Sequence, residues 1–214
     1  MTRLWIGLLL VSVGCSRTPT LPSSSPPNPG FTEPVMDKNT APPALSVGSE
    51  APPLKVSRFL KGDPVTKFEP GQIYVIEFWA TWCGPCIEAM PHVSALQKQY
   101  PKVTFIGVNV WENEESAAEE LVKKMGAKLQ YRIALDDVSD ANANTGVMSK
   151  TWLNAAEING IPTAIVVDGK GKIADITHPL ALDESLPKII AGDWDYAAAA
   201  KLHLESVLEG RKQQ

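Results

Sequence analysis

Two cysteines three residues apart, Cys83 and Cys86, are the side chains of this sequence best suited to covalent chemistry. Gly84 and Pro85 stand between them, and an apolar, β-branched and aromatic run, residues 73–80, precedes them. That run reads as a strand buried on both faces, and the pattern after Cys86 reads as a helix. Thiols three apart at the start of a helix share a face, so their sulfurs can join as a disulfide or separate as two thiols. Unpaired N–H groups at a helix N-terminus favour negative charge and lower a thiol pKa. Cys83, the earlier and more exposed sulfur, is expected to be the attacking thiolate. Cys86, one turn in, is expected to resolve the mixed disulfide. Pro85 lacks an N–H that a first turn leaves unpaired anyway, and Gly84 keeps the approach to Cys83 open.

Competing chemistries fit less well. Haem attachment needs His directly after the second cysteine, where Ile87 stands. Zinc needs more ligands, and the nearby His92 reads as a surface residue four after Glu88. A peroxidatic cysteine would have Thr three residues upstream, where Ala80 stands. Neither a metal nor a cofactor is expected.

Glu77 is the one charge in the apolar run. A carboxylate on a buried strand is costly unless paired or protonated. Six residues before Cys83, it is expected beneath the cysteine pair, exchanging a proton with Cys86 at a pKa raised by burial. The alternative is that it reaches a lysine or the sheet edge. A third feature is Gly160-Ile161-Pro162-Thr163, just before another apolar strand. Proline cannot donate to a ladder, so it belongs at a strand's first position or an edge.

The elements that must position these residues follow from periodicity. Residues 54–60 form a weak strand candidate, and the turn at 61–64 suggests an N-terminal hairpin. After the cysteines, Met90, Val93, Leu96 and Tyr100 give residues 85–100 a helical core face, with Pro91 inside. Residues 103–110 read as a second buried strand. Ser116 and Glu119 resemble a capping box for a helix ending at Gly126. A short strand at 133–136, a helix at 147–158, and strands at 163–168 and 172–176 joined by Gly169-Lys170-Gly171 come next. A helix spans 182–191. Finally Tyr196, Ala200, Leu204 and Leu208, spaced by four, mark an amphipathic helix. Helix-separated strands followed by a hairpin argue for an α/β fold with a mixed sheet flanked by helices on both faces.

The 214 residues suffice for one domain with extensions. Twenty Lys and Arg against 24 Asp and Glu, without a basic cluster, leave no footprint for nucleic acid. Only three cysteines exclude a disulfide-stapled scaffold and a four-thiolate zinc site. The third, Cys15, follows Arg3 and an apolar run too short to span a bilayer. Residues 1–15 therefore resemble a bacterial lipoprotein signal whose cysteine is lipidated, although Ser12 stands where such signals usually have Leu. An ordinary cleaved signal is the alternative. Residues 16–44, rich in Pro, Ser and Thr, read as a disordered tether, and 45–192 as the folded domain. Residues 193–214 read as a C-terminal helical extension.

The stretch from Phe78 to Cys86, with Trp79 and Trp82 beside Cys83-Gly84-Pro85-Cys86, resembles the active-site signature of thioredoxins. Gly160-Ile161-Pro162-Thr163 resembles their cis-proline loop. Met90-Pro91 after Cys86, the hairpin and the exported context are more similar to the TlpA/ResA-like branch of extracytoplasmic thiol-disulfide oxidoreductases. The resemblance covers about residues 45–191. It implies a thioredoxin fold, Cys83 as nucleophile, Cys86 as resolving thiol, a redox-active Cys83–Cys86 disulfide, and a cis Ile161–Pro162 bond facing substrate. Glu77 stands where thioredoxins carry a buried Asp. Trp82, Gly84, Pro85, Ile161 and Pro162 are the expected substrate-facing residues, whereas Trp79, Trp111 and Trp152 default to core packing. Many members of the branch have Glu three residues after the second cysteine. Here Ala89 fills that place, and Glu88, about 100° away around the helix, does not inherit the role.

The expected activity is thiol-disulfide exchange in the periplasm with protein disulfide substrates, from a lipid anchor in the membrane. The Gly-Pro pair matches thioredoxin, whose potential is about −270 mV, so the expected direction is reduction, which implies a membrane thiol donor. A disulfide oxidase or isomerase, or a non-catalytic binding module, is the alternative.

Overall fold

A computed structural model of the chain describes residues 41–112, 114–139 and 146–213. The signal sequence, Cys15 and all but the last four residues of the expected tether lie outside the described residues.

Six strands form one mixed sheet: β1 (Val56–Lys61), β2 (Tyr74–Trp79), β3 (Thr104–Asn109), β4 (Arg132–Asp136), β5 (Thr163–Val167) and β6 (Ile173–Thr177). Their spatial order is β1-β4-β3-β2-β5-β6. β2 runs parallel to β3 and antiparallel to β5. Paired on both edges and covered on both faces, it can afford almost no polar side chain, which is why its sequence is an apolar run.

Successive β2 side chains point to opposite faces and feed two cores. Val75 and Trp79 join Cys86, Met90 and Val93 of α1 (Gly84–Gln99) and Leu182, Leu186 and Ile189 of α3 (Leu182–Ala191). Tyr74, Ile76 and Phe78 join Met148, Trp152 and Leu153 of a short helical segment and Ala199 of α4 (Tyr196–Lys212). Helices thus cover both faces, and the α/β thioredoxin fold stands.

Four local expectations change. No N-terminal hairpin forms. β1 pairs antiparallel with β4, far along the chain, and residues 62–73 carry no strand. That non-local pairing satisfies the outer edge of β4, and residues 64–73 offer no second alternating run for a local partner. The expected capping box is absent as well. α2 (Glu115–Met125) starts at an N-cap of Glu114 with no side-chain cap, so Ser116 lies inside the helix, and Glu119 pairs with Arg58 of β1. The helix expected over 147–158 is a π-helix over Ser149–Asn154 followed by a turn, with Glu157 at φ 54°. In α4 the buried positions are Ala199, His203 and Val207, one residue before Ala200, Leu204 and Leu208. The larger aliphatic side chains flank that face, so reading the stripe by residue size rotated it by about 100°.

The domain's contacts start just before Leu45, because the Ala41 carbonyl accepts a hydrogen bond from Arg211 Nη1 (2.9 Å).

Candidate active site

α1 begins where β2 ends, and Cys83 is its N-cap. The Cys83 sulfur accepts the Cys86 backbone N–H (3.3 Å). A sulfur placed on the unpaired donors of a 16-residue helix is poised to carry negative charge when reduced. Cys83 and Cys86 are joined as a disulfide, with Cα atoms 5.3 Å apart. Cys83 is 5% exposed and Cys86 fully buried, so one sulfur alone has an outlet to solvent. Trp82, Gly84 and Pro85 around it are exposed, and Trp82 is 56% so.

The second wall is the loop before β5. The Ile161–Pro162 bond is cis, and the Ile161 carbonyl oxygen lies 3.7 Å from Cys83 Sγ. Thr163 Oγ1 donates to the Gly160 carbonyl (2.9 Å) and ties the loop to itself. Residues nearly eighty apart in sequence therefore meet at the attacking sulfur.

Glu77 lies on the β2 face that carries Val75 and Trp79, the face onto which α1 packs. It is 1% exposed. Its cross-strand neighbours are Gly107 and Ala164, the small residues its side chain needs beside it. A Cβ at Gly107 would come within 2.9 Å of the Tyr131 ring and 3.1 Å of Glu77 Oε2. Among the described residues no lysine answers it, its one partner is the Tyr131 hydroxyl, which donates to Oε2 at 3.4 Å, and Oε1 has none. Burial pushes its pKa up to about 8, with the Tyr131 hydrogen bond opposing the shift. The same burial, with the Glu77 charge added, raises the Tyr131 hydroxyl pKa.

Ala89 is buried on the face of α1 that carries Cys86, and Glu88 points out to solvent. No helix carboxylate therefore stands beside the sulfurs, in keeping with the departure from the branch pattern. His92 Nε2 lies 3.2 Å from Asp183 Oδ2 of α3.

Residues 46–182 match the Redoxin family. The chain belongs to this family. Within it, the redoxin is of the TlpA/ResA-like kind and is a thiol-disulfide oxidoreductase. It is 34% identical to Protein FixW of Rhizobium leguminosarum over 153 residues, 71% of this chain and 69% of that protein. It is 30% identical to the thiol:disulfide interchange protein HelX of Rhodobacter capsulatus, over 72% of this chain and 80% of that one. A thiol-disulfide isomerase from Corynebacterium glutamicum shares the fold, with a TM-score of 0.55 at 19% identity over 66% of this chain and 97% of that one.

Three contributors to the redoxin site, Glu112, Trp111 and Tyr131, carry no signal in the sequence. Glu112 lies in the loop three residues before α2 begins. Its carboxylate accepts from the Thr81 backbone N–H (2.8 Å), the Thr81 hydroxyl (2.9 Å) and Asn109 Nδ2 (3.1 Å). Trp111, expected in the core, is only partly buried and sits at φ 54°, and its carbonyl accepts from the Trp82 indole (3.0 Å). The β3–α2 loop thus clamps the two residues before Cys83. No local motif announces this, because strand pairing alone brings residues 81 and 112 together. Tyr131, the partner of Glu77, was missed for the same reason.

Proposed function

We propose that this protein reduces disulfides of extracytoplasmic proteins through Cys83 and Cys86. The observation that carries this reading is the sulfur of Cys83, seated on the N–H groups that open α1 and facing the Ile161–Pro162 loop. In the reduced protein the Cys83 thiolate attacks one client sulfur. A new S–S bond forms, the client disulfide breaks, and the other client sulfur leaves as a thiolate that takes up a proton. Cys86 then gives its proton to the Glu77 carboxylate and attacks Cys83 Sγ. The client leaves as a dithiol, and its two electrons have come from the cysteine pair. In the return half-reaction a dithiol donor attacks Cys83. Protonated Glu77 then supplies the proton that Cys86 needs as it leaves. A pKa of about 8 lets one carboxyl serve both directions near neutral pH. Trp82, Gly84, Pro85, Ile161 and Pro162 form the rim that a client meets.

The domain spans residues 45–192, with 193–214 as a helical extension, and is carried on a tether from a lipidated Cys15 outside the cytosol. A membrane dithiol carrier supplies electrons there. The apolar run before Cys15 and the Pro- and Ser-rich segment after it support this placement. Lipid label should enter the full chain and be lost in Cys15→Ala, and label retained in that variant refutes the anchor.

Insulin reduction with a dithiol donor tests the activity: Cys83→Ser should abolish it, and Cys86→Ser should accumulate mixed disulfides. A reduction potential of about −270 mV is expected. A value of about −120 mV would make the protein an oxidase instead.

A further inference from the structure

The loop that faces Cys83 has a second side. Gly160, Pro162 and Thr163 also line a cavity of about 880 Å³, whose other walls come from β6, α3 and α4. Besides Thr163, three buried polar side chains line it: Asp175 of β6, Ser185 of α3 and His203 of α4. His203 is 8% exposed. The Ser185 hydroxyl turns to the Asp175 carboxyl and His203 to the backbone of Ala156, but among the described residues no hydrogen bond of full geometry satisfies that hydroxyl or either ring nitrogen. Each such group is costly when left unsatisfied. A fold that gathers them at one opening keeps hydrogen-bonding capacity in reserve for something that enters. Burial also raises the pKa of Asp175 and lowers that of His203, so both are held towards their neutral forms.

Chemistry and position narrow the occupant. Neutral imidazole and hydroxyl groups both donate and accept, and a polypeptide backbone offers one donor and one acceptor at nearly every residue. With Asp175 held towards neutral and Glu157 paired with Arg211 at 2.6 Å, the lining keeps three acidic side chains, Glu184, Asp193 and Asp195, against one cation, Lys188. That balance disfavours an anion and favours a chain bearing positive charge. The lining includes Gly160, Pro162 and Thr163 of the loop whose Ile161 carbonyl lies 3.7 Å from the attacking sulfur. Finally, α4 lies wholly beyond residue 182, where the family match ends. This wall lies outside the matched family region.

We propose that the cavity seats a cation-bearing segment of the client polypeptide next to its disulfide. His203 and Ser185 anchor its backbone, and α4 is the wall that selects clients. The proposal rests on the oxidoreductase reading above.

Single-turnover kinetics test it, with the reduced full-length protein as the stoichiometric reductant. The probes are a disulfide-cyclised peptide flanked by lysines, the same peptide flanked by glutamates, and hydroxyethyl disulfide, which is too small to reach the cavity from the sulfur. The lysine peptide should react about tenfold faster than the glutamate peptide. Ser206→Trp, on an exposed lining position, should fill the cavity and slow the lysine peptide about tenfold, with hydroxyethyl disulfide unchanged. His203→Leu should slow the peptide in the same selective way while leaving the melting temperature unchanged or raised, since it removes an unsatisfied buried polar group. A purely structural histidine would lower the melting temperature instead. The proposal is overturned if His203→Leu and Ser206→Trp leave the peptide rate intact, or if His203→Leu slows both substrates alike. A wild-type protein that reduces none of the three disulfides would defeat the oxidoreductase reading itself.

Discussion

Two of the carboxyl groups buried in the sheet, Asp136 and Glu77, are treated in opposite ways. Asp136, at the end of β4, is 4% exposed and accepts three hydrogen bonds, from Met148 N–H (2.7 Å), Ser149 N–H (2.9 Å) and Ser149 Oγ (2.7 Å). Gly146 leaves it room, since any Cβ there would collide with its carboxylate. Glu77, on the central strand β2, has one long hydrogen bond and an oxygen with no partner. Burial raises both pKa values, but at Asp136 the three donors oppose the shift. At Glu77 little opposes it, and the pKa reaches about 8. The lesson concerns which carboxylate is there for the fold. Asp136 pins the helical segment after it. Glu77 is starved of partners and kept protonated, as a group that must give up and take back a proton would be.

Variants can break or sharpen that contrast. The largest effect is expected at Asp136. Asp136→Ala leaves two buried N–H groups and a hydroxyl unpaired, so stability to urea should fall by about 3 kcal/mol. The exchange rate of the molecules that remain folded should be unchanged. A loss below about 1 kcal/mol would remove the structural half of the comparison.

Glu77→Gln comes next and should act on rate and on the pH profile. Exchange with protein disulfides near neutral pH should slow about tenfold or more. The linkage runs from the ordinary value of 4.5 to about 8. Below 4.5 folded and unfolded chains both hold the proton, and the stability of the protonated form is fully present. As pH rises through the window to about 8 the unfolded chain ionises first, and that stability is lost. Glu77→Gln cannot ionise, so its stability should fall less steeply than that of wild type between pH 4 and pH 8. Parallel stability curves for the two proteins would show that Glu77 is not held protonated.

The smallest effect belongs to Tyr131→Phe. Its hydroxyl favours the ionised form of Glu77, so its loss should move the titration of the exchange rate to higher pH without abolishing exchange. A shift to lower pH, read from the rate profile, would reverse the assigned role.

Much of this was legible in the chain. The β2 run, the cysteine pair and the α1 periodicity are local patterns, and local patterns survive folding. The hairpin at β5 and β6 was legible too, because a Gly-Lys-Gly turn sits between two apolar runs. What failed was non-local. β1 finds its partner in β4, some seventy residues away, and a turn followed by a weak run imitates a hairpin. The capping box failed because Ser116 competes with a helix start two residues earlier. The stripe on α4 failed because burial there follows the position of the sheet, not the size of the side chain, and it places His203 inward.

The sequence by itself therefore determined the reactive pair, its strand-to-helix setting and the class of chemistry, since thiol spacing, strand composition and helix start are properties of adjacent residues. The tertiary structure decided everything that depends on which distant groups share a dielectric and a surface. It withheld a cation from Glu77 and supplied Tyr131. It set Ile161 against Cys83 and clamped Thr81 with Glu112. It also opened a polar cavity against α4. Burial, hydrogen-bond pairing and pKa are set by the sum of neighbours in space, and no spacing along the chain encodes that sum.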